Sequence, residues 1–435
     1  MTTTVLDLAA AAADTAAEPG CPPATCRIGL LGLGNIGSAF ARLSRDAASQ
    51  LSARGLAPIV STALVRTPSR PRPAAALVGT ITDSHDLFFS EPVDVIVEAL
   101  GGVEPAFTLV RRALDRGIPV VTANKSLVAA HGEDLARLAR RRGTALRYEA
   151  ACIAGVPFLG TFERRALVSR ASGVTAILNG TSNYILTTMT RGGSFEAALA
   201  DAQRLGYAEP DPTMDISGAD AAEKLTILIR LFGRLLVNPT SIPLDGLDAI
   251  EGDDIAAAAA FAGAIRPVSR ATWHGAAIRA HVGPAFLGGT HPLARVAGVT
   301  NGVVIDAERG AQSYIGPGAG PEVTAATLLD DVSEIVTERR VRTPPAGSVQ
   351  TATSVTRPDS GWFLRVAGQA RSADIADLLG SYGIWCTRLE RRGERVYALT
   401  CHASAARLHA ALDAVTAATG ATTAAFPALT EEAHS

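Results

Sequence analysis

The run Arg27-Ile28-Gly29-Leu30-Leu31 leads directly into Gly32-Leu33-Gly34-Asn35-Ile36-Gly37, and then into a helical pattern through Ala39, Phe40 and Leu43. No other feature narrows the fold as far. A buried strand, a GxGxxG turn and a helix open a dinucleotide-binding unit. Gly32, Gly34 and Gly37 let the backbone turn tightly and come close to a pyrophosphate. The helix start then offers unpaired N–H groups and the positive end of a dipole. Asn35 and Ile36 lie inside the same turn and join the candidate cofactor-binding residues.

Further strands follow this opening at Ile59 to Val65, at Val93 to Leu100 and at Ile118 to Thr122, the last after a helix at Ala106 to Arg116. Alternation of strand and helix predicts a mostly parallel, doubly wound α/β sheet. From about Ala151 the pattern changes. Helical stretches (Ala197 to Arg204, Ala219 to Leu236, Ile255 to Ala264) mix with short apolar runs at Val174 to Leu178, Ala277 to Val282 and Gly302 to Ile305. That reads as an α+β second domain. A Pro- and Ser/Thr-rich stretch follows and reads as a linker over 341–358. A third unit at 359–430 is expected as βαββα: a strand at Trp362 to Val366, a helix at Ala373 to Leu379, strands at Ile384 to Leu389 and Val396 to Thr400, and a helix at Ala405 to Ala417. The expected domains are 26–150 with a return segment at about 315–340, then 151–314, then 359–430. A chain of 435 residues with 47% hydrophobic residues has the material for two or three such cores.

Charge excludes some partners. The net charge of −2 argues against a general polyanion binder such as a nucleic-acid protein. No apolar run is long enough and clean enough for a membrane span. The five cysteines form no CxxC pair and are odd in number, which suits a reducing cytoplasm. Residues 1–25 are Ala-rich with Asp7, Asp14 and Glu18 and no basic residue before Arg27; they read as a disordered leader, not a secretory signal.

The 40 basic residues hide an asymmetry: 38 are Arg, and the only lysines are Lys125 and Lys224. The Ala- and Arg-rich composition suggests a bias that replaced Lys with Arg wherever a plain surface cation suffices; the plain alternative is drift that happened to leave two lysines. Arg cannot replace Lys where the site needs a compact ammonium able to release a proton. Lys125 follows the fourth strand in Thr122-Ala123-Asn124-Lys125, at the carboxyl end where doubly wound sheets bind ligands. Lys224 sits four residues after Asp220 on a helix that Ser217 is expected to open as a capping box. The plain alternative is a surface ion pair. Against it, Glu223, Thr226, Arg230 and Arg234 read as the solvent face, while Lys224 heads the row Leu228, Leu231, Leu235. A half-buried lysine beside a carboxylate is a candidate acid/base. Ahead of that helix, Gly206-Tyr207-Ala208-Glu209-Pro210-Asp211-Pro212 is a stiff acidic loop leading to Asp215. Arg66, just past the second strand, suits a 2′-phosphate and so favours NADP(H) over NAD(H). A second glycine loop, Gly316 to Gly320, precedes a helix expected from near Thr324. The eight histidines show no zinc-binding spacing.

These segments resemble homoserine dehydrogenase over about residues 26–340, and the third unit is similar to an ACT domain. The resemblance is carried by Gly32–Gly37, Thr122–Lys125, Tyr148 to Pro157, Ile177-Leu178-Asn179-Gly180-Thr181-Ser182-Asn183-Tyr184-Ile185, Gly206–Pro212, Asp220–Leu225 and Gly316–Gly320. It implies a Rossmann-like domain, a catalytic and dimerisation domain, and a homodimer or homotetramer. It implies NAD(P)-dependent interconversion of L-homoserine and L-aspartate 4-semialdehyde, a small-molecule substrate. By motif, Glu209, Asp215 and Asp220 hold the substrate. Lys224 is the proton donor, and Lys125 contacts substrate and cofactor. Thr122, Gly206 and Gly318 line the cofactor site. Glu149, with backbone oxygens of Cys152, Ala154 and Val156, resembles the family's monovalent-cation site, suited to Na+. One departure stands out. ACT domains of this family carry an Asp-x-Pro-Gly turn where this chain has Ala367-Gly368-Gln369-Ala370. Threonine control is therefore in doubt, and two alternatives stay open: a paralogous reductase of another small amino-acid aldehyde, and a noncatalytic amino-acid sensor.

Overall fold

Strand β1 (Ala24–Leu31) lies at the centre of a six-stranded sheet, flanked by β2 (Leu56–Leu64) and β4 (Val95–Glu98). Outside them lie β3 (Thr80–Thr82), β5 (Val120–Thr122) and β6 (Leu146–Arg147), giving the order 3-2-1-4-5-6. Every pairing is parallel. This is the doubly wound dinucleotide-binding topology, with its order reversing between β1 and β4. Ile28, Leu30, Val95, Ile96, Val97, Val120 and Val121 are all buried, as expected for strands covered on both faces. The computed structural model describes residues 23–163, 171–308, 310–318, 320–337 and 349–430. The expected leader over 1–25 mostly lies outside these; Ala24 and Thr25 already belong to β1. The short strands β3 and β6 are edge elements that three or two residues cannot announce by pattern.

Two compact units divide the chain: Met1–Ala151 with Pro321–Pro345, and Cys152–Gly320 with Ala346–Ser435. In the first, the helix Pro321–Thr337 returns to pack on the helix Asn35–Asp46. Ala325, Leu328, Leu329 and Val332 join Ala39 and Phe40 in one core. The helix begins at Pro321 rather than near Thr324, with proline in the first turn where its missing N–H costs nothing.

The second unit is built on a ten-stranded sheet. Its order runs Gln312–Pro317, Thr300–Ala307, Ala171–Ile177, Gly263–His274, Ala277–Gly288, Thr422–Leu429, Gly361–Ala367, Arg395–Thr400 and Cys386–Arg392, with Ser354–Thr356 beside Ala277–Gly288. The segment expected as a separate third unit thus continues the catalytic unit's sheet. It closes as βαββαβ rather than βαββα. The added strand Thr422–Leu429 pairs antiparallel with Gly361–Ala367 and parallel with Phe286 and Leu287. Pro427 in its middle demotes it by sequence criteria. The expected linker contains two short strands, Gln350–Thr351 and Ser354–Thr356; its residues 341–348 lie outside the described ones.

Buried charge ties this segment down. Arg365, 8% exposed, reaches Asp254 at 2.6 Å and Glu251 at 2.8 Å on the helix Gly252–Ala260 and its cap. Arg357 donates to both carboxylate oxygens of Asp245, at 2.5 and 2.7 Å, and His281 Nε2 lies 2.7 Å from the same group. Burial alone would raise the Asp245 carboxyl, but these donors outweigh it and hold the group well below the usual carboxylate range. Burial lowers His281, so the neutral ring donates to the carboxylate. Among the described residues, no helix is long and apolar enough to cross a membrane.

Candidate active site

The glycine turn after β1 has the shape a pyrophosphate requires. Gly32 has φ +98, and a Cβ there would lie 2.8 Å from the Ala99 carbonyl oxygen. A Cβ on Gly37 would lie 2.1 Å from the Gly32 carbonyl oxygen, so helix and turn meet only because both are glycine. Gly34 faces open space. It caps the helix Asn35–Asp46 without a side chain, leaving that turn's N–H groups for an anion. Arg66 stands exposed just past the end of β2, within the region that reads a ribose substituent.

Thr122 ends β5, and Lys125 is the first residue of the helix Lys125–Arg142. Asn124 caps that helix, its Oδ1 accepting from Leu127 N at 3.1 Å. Sequence reasoning missed the group beneath them. Glu98, at the end of β4, is 0% exposed and accepts from Thr122 Oγ1, from Leu100 N at 2.8 Å and from Asn124 Nδ2 at 3.3 Å. Burial pushes its carboxyl up, against the pull of these donors. The available signal was an acidic residue closing an otherwise apolar strand.

The second unit assembles the catalytic candidates. Lys224 Nζ lies 3.0 Å from Asp220 Oδ2 and donates to the Leu178 carbonyl oxygen at 2.9 Å. The hub is Asn179, to which no role was assigned from sequence. Its Nδ2 donates to Asp215 Oδ1 at 2.6 Å and to Asp220 Oδ2 at 2.8 Å. Its Oδ1 caps the helix Gly180–Met189 by accepting from Ser182 N at 2.8 Å. Ser182 Oγ in turn donates to the Asp215 carbonyl oxygen at 2.8 Å. Asp215, Asp220 and Lys224 are therefore one network, with Asp220 4% exposed.

Three local expectations are corrected. The helix carrying Lys224 runs Ala219–Leu228, passes into a π-helical turn at Ile229–Gly233, and does not reach Leu236. Its cap is Gly218 at φ +84, with no side-chain cap; Ser217 Oγ only approaches Ala219 N at 3.4 Å. Thr226 and Arg230, expected on a solvent face, are 4% and 6% exposed. The helix runs inside the unit with almost no free face, so helical periodicity could not identify one.

Glu209 is exposed on the acidic loop beyond Gly206, which has φ +76. Gly318 follows the strand Gln312–Pro317. A Cβ on it would lie 2.3 Å from Asn301 Cγ, so Asn301, itself donating to Leu178 and Gly318 carbonyls, fixes this turn against the Lys224 network. Glu149 and Cys152 lie on the short helix Glu149–Ile153, with Ala154 and Val156 just beyond. A carboxylate and peptide oxygens are hard donors, of the kind a monovalent cation takes and a thiophilic metal does not.

Residues 32–149 match the family model of the homoserine dehydrogenase NAD binding domain, and residues 157–333 match that of homoserine dehydrogenase. The homoserine dehydrogenase of Neisseria gonorrhoeae is 33% identical over 384 residues, 84% of this chain and 88% of its own. That of Mycobacterium bovis is 37% identical over 315 residues, 70% of this chain and 71% of its own. The crystal structure of a homoserine dehydrogenase from Thiobacillus denitrificans aligns with a TM-score of 0.83 at 29% identity, covering 94% of this chain and 99% of that one. The chain belongs to the homoserine dehydrogenase family, NAD(P)-dependent oxidoreductases acting on the CH–OH group of homoserine.

Proposed function

We propose that Lys224 handles the proton in the interconversion of L-homoserine and L-aspartate 4-semialdehyde, with Asp220 and Asn179 holding it in place. The observation that carries this is the pinned ammonium. Two of its three N–H groups are taken by Asp220 and the Leu178 carbonyl, which leaves one for a substrate oxygen. The nicotinamide supplies or accepts the hydride when bound. As charge develops on the aldehyde oxygen, the remaining N–H stabilises it and then gives up its proton. Asp220 balances the ammonium. Asp215 and Glu209 are the carboxylates proposed to hold the substrate's ammonium group, and Lys125 is a second ammonium serving substrate and cofactor. The test is a steady-state assay of purified protein with L-homoserine, a panel of homologous amino alcohols, and each cofactor. Turnover of a homologue in preference to homoserine would assign the chain to another small amino-acid aldehyde.

NADP(H) is the proposed preferred cofactor, on the strength of Arg66. Arg66→Glu is expected to raise KM for NADP+ by about tenfold, since it replaces a charge-assisted phosphate contact with repulsion. KM for NAD+ should change little. Equal effects on the two would remove Arg66 from phosphate recognition. The Glu149 segment is proposed to hold Na+, adding charge without taking part in proton transfer. The C-terminal βαββαβ segment is proposed as an ACT-like module that packs and supports a homodimer or homotetramer rather than sensing threonine. Its turn at Ala367–Ala370 lacks the acidic and proline residues of the effector loop. The enzyme is proposed to act in the cytoplasm, in amino-acid biosynthesis.

A further inference from the structure

We propose that Glu98 is a positioning residue for the cofactor end of the reaction: its buried side chain bolts the loop leaving β4 to the turn leaving β5, and so sets the start of the helix that carries Lys125. The inference rests on the cofactor site lying at these strand ends.

Glu98 has no exposed surface, and Leu100 N, Thr122 Oγ1 and Asn124 Nδ2 each give it a hydrogen. Leu100 N binds Oε1, which fixes the first residues after β4. That loop also touches the glycine turn, since Ala99 N donates to the Leu31 carbonyl at 2.8 Å and the Ala99 carbonyl faces Gly32. On the other side, the Thr122 hydroxyl donates to Oε2 and accepts from Asn124 N at 2.9 Å. Asn124 Nδ2 binds both Oε1 and, at 2.6 Å, the Gly102 carbonyl oxygen. Asn124 Oδ1 then caps the helix that Lys125 begins. The chain of bonds thus runs from the glycine turn, through Glu98, to Lys125.

A carboxylate suits this place. Its two oxygens accept from all sides and need to donate nothing. A glutamine of the same shape keeps an oxygen for Leu100 N and Asn124 Nδ2 only by turning its NH2 to Thr122 Oγ1, which reverses that bond and leaves the buried hydroxyl hydrogen without its acceptor. Thr122 is also 0% exposed, with its hydroxyl spent inward, so its side chain belongs to this bolt.

The test uses the full chain with Glu98→Gln, Thr122→Val, Thr122→Ser and the Glu98→Gln/Thr122→Val pair. Dissociation of NADPH and NADH is read by nucleotide fluorescence, alongside kcat, KM for homoserine at saturating cofactor, and thermal midpoint. Glu98→Gln and Thr122→Val should each weaken cofactor binding by about tenfold and lower kcat by up to about 10²-fold, the scale of a misplaced reacting group. KM for homoserine should stay within about twofold. The double variant should lose no more than the worse single one, because both cut the same chain. Thr122→Ser keeps the hydroxyl and should restore binding and kcat. Unchanged cofactor affinity and kcat in folded Glu98→Gln overturns the proposal, as do additive losses. If Glu98→Gln does not fold, Thr122→Val against Thr122→Ser decides on the same readouts. Wild-type protein that binds nucleotide but does not turn over homoserine would count against the substrate assignment alone, since fluorescence still reads the bolt.

Discussion

Lys224→Arg is expected to lower kcat by about 10²–10⁴-fold, the usual worth of a positioned general acid, while the protein stays folded. The substitution keeps the positive charge beside Asp220, so the buried carboxylate retains a partner. What it removes is the ability to release a proton, because a guanidinium does not deprotonate at useful pH. It also replaces a compact ammonium, pinned at 3.0 and 2.9 Å, with a planar fork that has to find new geometry in a site only 17% exposed. The thermal midpoint should move by only a few degrees, roughly the shift of about 1 kcal/mol. Turnover near the wild-type value in Lys224→Arg would mean that Lys224 is an electrostatic anchor. The acid/base role would then pass to Lys125, the other lysine in the chain.

Asn179→Asp should be nearly as damaging, for the opposite electrostatic reason. Asparagine is the one neutral member between two carboxylates, and its Nδ2 is the donor they share. Aspartate keeps the helix cap, because its oxygen can still accept from Ser182 N. The two donated hydrogens are lost, and a third negative group stands within hydrogen-bond distance of Asp215 and Asp220. Like charges so close do not all ionise, so the cluster takes up a proton. Asp220 then turns away from Lys224 or shares its charge elsewhere. A loss of about 10²-fold in kcat at pH 7 follows from the misplaced ammonium. Part of the activity should return as the pH is lowered and the shared proton becomes abundant. Asn179→Ala separates the terms: it loses the cap, worth about 1 kcal/mol, but adds no charge. Equal kcat losses in both variants, with no acid recovery in Asn179→Asp, would rule out charge crowding.

The central strands of the first unit were legible in the sequence to within two or three residues at their ends, as Ile59 to Val65 against Leu56–Leu64 and Val93 to Leu100 against Val95–Glu98. Its central strands are buried on both faces and read as apolar runs, and Gly32 and Gly37 of its turn are forced by contacts too close for any Cβ. The lysine count pointed to Lys224 without any alignment, because an Arg-rich chain retained lysine at a place where the proposed proton transfer would exclude arginine. What stayed hidden has physical causes. Asn179 and Glu98 act through partners far away in sequence, 41 residues in one case and 24 in the other. Neither carries a local signature beyond ending a strand or starting a helix. The strand Gly263–His274 was hidden behind Pro267, and Thr422–Leu429 behind Pro427, residues that argue against a strand unless the pairing partners are known. The buried character of Arg230 was illegible for a simpler reason: charge is read as exposure, and here it is not.

The strand Ala277–Gly288 has a consequence for anyone seeking a minimal enzyme. Eight of its successive residues, from Ala280 to Leu287, are buried; among the described residues its far edge meets Ser354–Thr356 at one end, Pro243 and Asp245 at Val282, and the tail of Thr422–Leu429 at the other end. A chain cut before residue 349 would bare both ends of this edge, the apolar stretch Ala285 to Leu287 among them, while Pro243 and Asp245 still cover Val282. Such a border recruits any extended segment it meets. The shortened protein should precipitate or self-associate on size-exclusion chromatography even if every catalytic side chain is present. The C-terminal segment would then be retained as a hem, whatever has become of its capacity to sense an amino acid.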